Sequence, residues 1–206
     1  VSIAVLNATQ VEGDGGTKGF TFTVSLSNPS DFTTTVQVDT QDISATTADS
    51  DYVGIAGQVL TFTAGQMSKT VTVTVNGDTK VESDETFSVG LSALTGTDAS
   101  LGTPSVSGTI LNDDISLAIA ASDAAKAEGN SSTTPFTFAV TRTGLTTGAT
   151  AVNYAVTGSG ASPANAADFG GTLPSGTVNF AAGESGKTVT INVSGDLTVE
   201  TSEGFT

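Results

Sequence analysis

One ordered set of sequence features occurs twice in this chain, and that internal repeat constrains the fold more than any other property. Glu12, which precedes a glycine, returns as Glu128 at an offset of 116 residues, and Phe62 returns as Phe180 at an offset of 118. An offset that drifts by one or two residues is typical of a tandem repeat with small loop insertions. At 206 residues the chain has room for two ordinary domains, each able to bury its own core. We place these two predicted domains at residues 1–114 and 115–206.

Apolar side chains alternate with small or polar ones in both copies. In the first copy, Val71, Val73 and Val75 share one side of such a run, and Gly, Asn, Asp and Ser residues separate successive runs. Alternation with a period of two predicts strands with one buried face, and no window of the sequence has helical spacing. The chain is therefore expected to be all-β, folded as two tandem immunoglobulin-like antiparallel β-sandwiches.

The second copy has no counterpart of residues 88–114 of the first copy. In the first copy those residues supply most of one predicted strand and all of the last one. The second sandwich is therefore predicted to lack its last strands, with unpaired edges and an open core. We interpret Thr206 as lying at a fragment boundary or in a disordered tail, and not at a natural terminus.

The charge balance excludes several classes of partner and site. There are 21 Asp and Glu residues against 6 Lys and Arg, which gives a net charge of -15. Nucleic acid and anionic membrane surfaces would be repelled, whereas cations would be attracted. The sequence has no His and no Cys, which excludes zinc sites built on nitrogen or sulfur, Ser-His-Asp catalysis and disulfides. No apolar run approaches the roughly 18 residues of a membrane span, so direct membrane insertion is not expected.

An acidic segment between two predicted strands is the main functional signal. In each copy a carboxylate is followed by others four and seven residues later; these are Asp78, Glu82 and Glu85, and Asp196, Glu200 and Glu203. Connections of an antiparallel sandwich cluster at its two ends, so turns that are distant in sequence can converge. Each like-charged pair there would cost about 4 kcal/mol at about 4 Å and an effective dielectric of about 20, and a divalent cation would reverse that energy. Hard oxygen ligands grouped in this way predict a Ca²⁺ site.

Two other interpretations of the carboxylates stay open from the residues alone. The acids could decorate solvated loops and keep the surface soluble, as most runs of charge do. Glu82 and Glu85 could also form the carboxylate pair of a glycosidase. However, the chain has no Trp and only two tyrosines for stacking against a sugar. We therefore predict that the protein is not an enzyme.

The order of short motifs in each copy resembles the Calx-β domain, a family named for the regulatory calcium-binding modules of sodium/calcium exchangers. The motifs are Glu-Gly before Phe-x-Phe, Asp-Tyr after a Thr/Ala-rich loop, Phe-x-x-Gly before a Val-x-Val-x-Val strand, the Asp-x-x-x-Glu-x-x-Glu-x-Phe segment, and Ile-Leu-Asn-Asp-Asp at the exit. The resemblance covers residues 1–114 and about three quarters of a second domain. It implies that loop carboxylates bind Ca²⁺ at one end of each sandwich.

The resemblance also implies the identity of the ligands, position by position. In the first copy the matching positions are Glu12, Asp51, Asp78, Glu82, Glu85, Asn112, Asp113 and Asp114. In the second copy they are Glu128, Asp168, Asp196, Glu200 and Glu203, and the exit triplet has no counterpart. Gly77 stands where exchanger domains carry a further Asp, and Asn112 replaces the first Asp of their terminal triplet. Fewer ligand charges predict fewer ions or weaker binding than in the exchanger sensors.

From these features we expect a calcium-binding tandem module that gives Ca²⁺-dependent stability and rigidity to a larger extracellular or cell-surface protein of the adhesin type. Its expected partners are Ca²⁺, neighbouring domains of the same chain, and a surface protein or glycan ligand. The Thr-, Ala-, Gly- and Ser-rich composition with few lysines favours a secreted bacterial protein. Two alternatives remain: a calcium sensor that regulates an attached transporter or enzyme, and a carbohydrate- or protein-binding module with structural calcium.

Overall fold

The computed structural model describes residues 1–96 and 99–206, which divide into two compact units. Unit one is Val1–Asp114 and unit two is Ile115–Thr206. In both units nearly all of the regular secondary structure among the described residues is β-strand, which confirms the predicted all-β fold class. Among the described residues, none of the helical segments is long and apolar enough to cross a lipid bilayer.

Unit one contains strands β1 to β9 in the part that the structure describes. Their bounds are β1 Ser2–Asn7, β2 Thr9–Val11, β3 Thr17–Ser25, β4 Thr34–Asp42, β5 Tyr52–Val53, β6 Gln58–Phe62, β7 Ser68–Asn76, β8 Glu85–Thr95 and β9 Ser105–Leu111. One sheet has the order β1-β3-β7-β5 and the other has the order β2-β9-β8-β4-β6. The two sheets share one core of buried apolar side chains, as expected for a sandwich.

One pairing in unit one is parallel, whereas the sequence pattern indicated antiparallel strands. Strand β2 runs parallel to β9, with Thr9 opposite Thr109. The first strand crosses from one sheet to the other at Ala8, which is buried and accepts a hydrogen bond from the Thr109 N–H at 2.7 Å. The crossing converts one predicted strand into two short ones, β1 and β2.

The period of two determines which side chains form the core of unit one. In β7, Val71, Val73 and Val75 are buried, while the residues between them are exposed or half-buried. On the opposite sheet, the Phe87 side chain is fully buried and its ring stacks on Tyr52 with centroids 4.7 Å apart. Because Tyr52 follows the predicted ligand Asp51, this aromatic pair anchors one acidic loop to the core.

Unit two contains strands β10 to β16 and one short 3₁₀ helix. Their bounds are β10 Ile115–Asp123, β11 Thr133–Gly144, β12 Thr150–Ala155, β13 Gly158–Ser159, the 3₁₀ helix Ala166–Phe169, β14 Ser175–Phe180, β15 Gly186–Ser194 and β16 Gly204–Phe205. The strands form a sheet of order β10-β11-β15 and two antiparallel pairs, β12-β14 and β13-β16. In unit one, β4 pairs with both β6 and β8, whereas β12, its counterpart, pairs only with β14 among the described residues.

The 3₁₀ helix was not expected from the sequence, because four residues are too few to show a helical period. It is stabilised at its start by Asn165, whose side-chain oxygen accepts the Ala167 N–H at 3.0 Å. At its end, Gly170 has a φ of 75°, a left-handed conformation that glycine adopts without strain. This helix places Asp168, one of the predicted ligands, at a defined position.

Candidate metal centres

Three of the predicted ligands of unit one lie in a single group. Carboxylate oxygens of Asp51, Glu82 and Glu85 all lie within 4.8 Å of one another. Asp51 directly precedes β5, Glu82 belongs to the loop between β7 and β8, and Glu85 begins β8. Two oxygens that each bind one Ca²⁺ at about 2.4 Å can be no more than about 4.8 Å apart. The spacing therefore suits one Ca²⁺ held by all three residues.

Backbone hydrogen bonds fix the position of Asp51, which is buried. Its Oδ2 accepts the Thr46 N–H at 2.7 Å, and its own N–H donates to the Thr46 carbonyl at 3.1 Å. The Asp51 carbonyl accepts the Asn76 N–H at 2.9 Å, at the end of β7. The loop before β5 is thus tied to the strand that leads to Glu82, although the two carboxylates are distant in sequence.

Burial and the neighbouring carboxylates together shift the pKa of Glu85. Burial raises the pKa of Glu85 to about 7, and the neighbouring Asp51 and Glu82 add to the rise. Lys80 forms an ion pair with Glu82 and opposes the shift, but its side chain is 62% exposed. One solvated ammonium group only partly offsets the repulsion.

Glu12, Asp78, Asp113 and Asp114 form the remainder of the acidic end of unit one. Burial raises the pKa of Glu12 to about 7, and the charges of Asp78, Asp114, Glu82 and Asp113 contribute further in that order. The Gly13 N–H donates to Asp113 Oδ1 at 2.9 Å, which joins the turn after Glu12 to the exit of β9. Four segments that are far apart in sequence therefore meet at this end.

Asp114 carries the most direct indication that a ligand belongs here. The residue is 5% exposed, and its Oδ2 is buried without a hydrogen-bond partner among the described residues. Burial raises the pKa of Asp114, and the charges of Asp113 and Asp14 raise it further. A buried carboxylate oxygen is costly unless it is hydrogen-bonded or coordinated. The residues present therefore fit a bound cation.

Asn112 connects the exit of β9 to the loop that carries Glu82. Its Oδ1 accepts the Glu82 N–H at 3.1 Å, its Nδ2 donates to the Asp114 carbonyl at 3.3 Å, and its N–H donates to Asp84 Oδ1 at 3.1 Å. In this geometry Asn112 positions carboxylate-bearing segments. Asp84 and Asp14 were not among the residues predicted from the sequence, where Asp14 stands out only by its place in the glycine-rich turn after Glu12.

A close backbone contact explains why glycine occupies position 77. A Cβ on Gly77 would lie 2.1 Å from the Gly13 carbonyl oxygen and 2.7 Å from the Glu12 carbonyl oxygen. In unit two, a Cβ on Gly195 would lie 2.6 Å from the Gly129 carbonyl oxygen. In each unit the backbone of the glutamate–glycine turn is therefore in direct contact with the glycine that follows a long strand, β7 in unit one and β15 in unit two. No aspartate side chain fits at position 77 in this arrangement.

All five predicted ligands of unit two lie close together. Carboxylate oxygens of Glu128, Asp168 and Glu200 are within 4.8 Å of one another. The pKa of Glu200 is raised by burial and then by the charges of Asp196, Glu128 and Asp168. The pKa of Glu203 is raised by burial and then chiefly by Asp168. Asp168 is itself held by the 3₁₀ helix, where its Oδ2 accepts the Asn165 N–H at 2.6 Å.

In the metal-free protein, we expect the stability of unit one to fall as the pH rises from about 4.5 to about 7. Glu12 and Glu85 have an ordinary pKa of 4.5, and in the folded protein each pKa is raised to about 7. Between these values the folded state binds more protons than the unfolded state, so raising the pH favours unfolding. Thermal unfolding in EGTA should therefore give a higher midpoint near pH 5.5 than near pH 8.

The double variant E12Q/E85Q is the control for this pH dependence. The amides keep nearly the same size but do not titrate, so the variant should lose most of the difference between the two pH values. The other carboxylates of the chain, which also repel one another at high pH, are unchanged in it. Equal pH dependence in the variant and the natural chain would contradict the assignment to Glu12 and Glu85.

A family model described as the Calx-beta domain matches the chain twice, over residues 2–115 and 121–206. The two matches span most of units one and two. The chain matches none of the curated proteins with which it was compared.

Solved structures also resemble the chain. The calcium binding domain CBD12 of CALX1.1 is 22% identical, with 93% of this chain and 75% of that chain covered and a TM-score of 0.50. CBD12 from CALX1.2 is 21% identical, with 97% and 77% covered and a TM-score of 0.49. The apo form of the Calx CBD1 domain is 26% identical, with 52% and 91% covered and a TM-score of 0.42. The likeness to the first of these supports the fold.

Proposed function

The chain belongs to the Calx-beta family, and from that premise we propose that each of its two units binds Ca²⁺ at its acidic end. The observation that carries the proposal is the buried Oδ2 of Asp114, which has no hydrogen-bond partner among the residues that the structure describes and lies among carboxylates from separate loops. Solvated acidic loops would leave such an oxygen in contact with water. Its burial instead suits coordination by a cation.

In unit one, Asp51, Glu82 and Glu85 would hold one ion, and Glu12 and Asp114 would add oxygen ligands from the neighbouring segments. A bound Ca²⁺ supplies the positive charge that offsets their repulsion. The backbone contacts of Asp51 and the bridge through Asn112 hold the ligands in place before binding. Preorganised ligands lose less conformational entropy when the ion binds.

The test is a calorimetric Ca²⁺ titration of the natural chain beside the double variant E82A/D114A. We expect heat from both units in the natural chain and loss of the unit-one component in the variant, because one central ligand is removed from each of the two groups. Binding attributed to unit two should remain, since Glu128, Asp168 and Glu200 are unchanged.

The matched control is Asp31→Ala, which also removes a carboxylate from unit one. Asp31 follows β3, whose first residue pairs with Asn76 at the acidic end and whose last residue, Ser25, pairs with Ser68 at the other end. Asp31→Ala should therefore titrate like the natural chain. The proposal fails if the natural chain gives no saturable Ca²⁺ heat, or if Asp31→Ala weakens binding as much as E82A/D114A does.

We further propose that the ions stabilise part of a larger extracellular or cell-surface protein of the adhesin type. A structural site of this class binds Ca²⁺ with a Kd of roughly 10⁻⁴ to 10⁻³ M, whereas a sensor binds at roughly 10⁻⁷ to 10⁻⁵ M. At a free Ca²⁺ concentration of about one hundred times Kd, each site should add about 2.7 kcal/mol of stability. The measurement is the midpoint of chemical unfolding in Ca²⁺ and in EGTA.

A calcium sensor is the second candidate, and the raised pKa values of Glu12 and Glu85 favour it. Burial is the main cause of both raised pKa values and repulsion from neighbouring carboxylates adds to it, so binding of a cation would favour ordered loops over disordered ones. A Kd in the sensor range would support this role and contradict the adhesin-type role. Indifference of the unfolding midpoint to EGTA would contradict both.

A further inference from the structure

Asn76 and Gly77 form the only Asn-Gly pair in the sequence. In an unfolded chain this pair is the most reactive asparagine sequence, because glycine leaves the following backbone nitrogen unhindered and mobile. That nitrogen can attack the asparagine side chain and release ammonia. The pair lies where β7 ends, at the acidic end of unit one. The equivalent pair of unit two is Ser194–Gly195, whose serine has no side-chain amide.

Hydrogen bonds to two separate loops hold the reacting groups of this pair in the folded protein. The Gly77 N–H, whose nitrogen would be the nucleophile, donates to the Gly16 carbonyl at 3.1 Å. The Asn76 Nδ2, which would be the leaving group, donates to the Ser50 carbonyl at 2.5 Å. The Asn76 N–H donates to the Asp51 carbonyl at 2.9 Å. Both loops would have to release these groups before they could react with each other.

The backbone conformation of Asn76 also opposes the reaction. Asn76 is the last residue of β7 and pairs with Thr17 of β3, so its backbone is extended. Ring closure requires rotation about ψ of Asn76, which brings the Gly77 nitrogen to the side-chain carbon Cγ. The turn of residues 12–17 blocks that movement, since even a Cβ on Gly77 would lie 2.1 Å from the Gly13 carbonyl oxygen. The reaction therefore requires this turn to move away first.

We infer that Asn76 is a deamidation site that the fold keeps unreactive until the turn of residues 12–17 opens. In the open state the Gly77 nitrogen loses its proton to solvent and attacks Asn76 Cγ. A C–N bond forms, the Cγ–Nδ2 bond breaks, and Nδ2 takes up a proton from solvent and leaves as ammonia. Water then hydrolyses the succinimide at either carbonyl group, which gives aspartate or isoaspartate. The inference does not depend on calcium.

The product of this reaction cannot restore the original contacts. A carboxylate accepts hydrogen bonds and does not donate them, so residue 76 would lose its side-chain bond to the Ser50 carbonyl. Isoaspartate also adds one methylene group to the backbone beside Gly77, where the Gly13 and Glu12 carbonyl oxygens leave no room. Reaction in the open state would therefore loosen the acidic end of unit one permanently.

The test compares Asn76 with Asn130 in the whole chain. Asn130 precedes Ser131, which also favours deamidation, and it is exposed between β10 and β11. Samples are held near pH 8 in EGTA, either folded or in urea, and each site is then followed by peptide mapping with mass spectrometry. In urea, Asn76 should react first. In the folded protein, Asn130 should react first, and Asn76 should react at least about tenfold more slowly than in urea.

Gly16→Ala tests whether opening of the turn controls the rate. Gly16 has a φ of 75° and no described atom lies within 4 Å of its Cβ position, so alanine adds backbone strain without a clash. Asn76 should then react about tenfold faster in the folded protein and at the natural rate in urea. The matched control is Gly65→Ala, which adds the same strain at a φ of 79° in the turn before β7, at the other end of unit one. It should leave the rate at Asn76 nearly unchanged.

Four results would overturn the inference. Equal rates at Asn76 in the folded protein and in urea would show that the contacts do not hold it. Faster reaction of another asparagine in urea would show that Asn76 is not the reactive site. No acceleration in Gly16→Ala would separate the reaction from the turn. Equal acceleration in Gly16→Ala and Gly65→Ala would show that the reaction proceeds through unfolding of the whole unit.

Discussion

Replacing Gly77 by alanine is expected to destabilise unit one by about 3 kcal/mol or more. The new Cβ would lie 2.1 Å from the Gly13 carbonyl oxygen and 2.7 Å from the Glu12 carbonyl oxygen. Both atoms belong to the backbone, so neither can rotate away as a side chain would. The Gly77 N–H also donates to the Gly16 carbonyl at 3.1 Å, which holds the turn against this segment. The only relief is displacement of the turn that carries Glu12.

The effect can be measured on unit one alone because the chain has only two tyrosines and no Trp. In a Tyr154→Phe background, Tyr52 is the single fluorescent reporter, and urea unfolding followed at Tyr52 gives the free energy of unfolding of unit one. Gly90→Ala is the matched control, since its Cβ would lie 3.9 Å from the nearest atom, an ordinary contact. A Gly77→Ala protein as stable as Gly90→Ala would show that the turn is not in close contact.

The sequence predicted the sandwich well because strand alternation is a local property. The period of two alone predicts that Val71 and Val73 lie on the same buried face, and both are buried. The parallel pairing of Thr9 with Thr109 could not be read in this way. It depends on the chain crossing between sheets at Ala8, which no local pattern records. The 3₁₀ helix that holds Asp168 was missed for a different reason, because its four residues are too few to show a helical period.

The sequence could indicate which acidic residues to consider as ligands, but it could not show how they are arranged. The repeat and the family resemblance selected Asp51 and Glu82, whose carboxylates the structure brings together. Neither source could show that Asn112 accepts the Glu82 N–H, because that bond depends on how the exit of β9 meets the loop after β7. The Asp114 Oδ2, which has no hydrogen-bond partner in the described part of the chain, likewise depends on burial by surrounding segments, which only the folded chain displays.

Arg142 is the feature of unit two that sequence reasoning missed entirely. Its side chain is 2% exposed, and its guanidinium lies 5.4 Å from the Phe180 ring centroid. The guanidinium donates to five acceptors at 2.8 to 3.2 Å: the carbonyls of Glu184, Gly148, Thr146 and Ala181, and the Thr150 hydroxyl. The equivalent position of unit one is Leu26. The Leu26 N–H donates to the Met67 carbonyl just before β7, and the Arg142 N–H donates to the Ser185 carbonyl just before β15, both at 2.8 Å. An arginine at a core position therefore had no signal in the repeat.

Replacing Arg142 by alanine is expected to destabilise unit two by at least about 3 kcal/mol, because four carbonyls lose a charged donor and a cavity opens beside Phe180. Arg142→Leu, which restores the residue type of unit one, should recover packing but leave the carbonyls unpaired, so it should remain clearly destabilised. Arg142→Lys should fall between the two other variants and the natural chain, since an ammonium keeps the charge but cannot reach all five acceptors. The measurement is the free energy of opening from amide hydrogen exchange in β11 and β15.

Lys187→Ala separates this effect from a simple loss of positive charge in the same region. Lys187 pairs with Glu184 at 2.7 Å on the surface, and both side chains are at least one third exposed. Exposed ion pairs contribute little, so this variant should change stability by less than about 1 kcal/mol. If Lys187→Ala were as damaging as Arg142→Ala, the loss of stability would be explained by the loss of a positive charge in this region, and not by the five hydrogen bonds of Arg142. If Arg142→Leu were as stable as the natural chain, apolar packing alone would suffice at this position, and the hydrogen bonds of Arg142 would contribute no net stability.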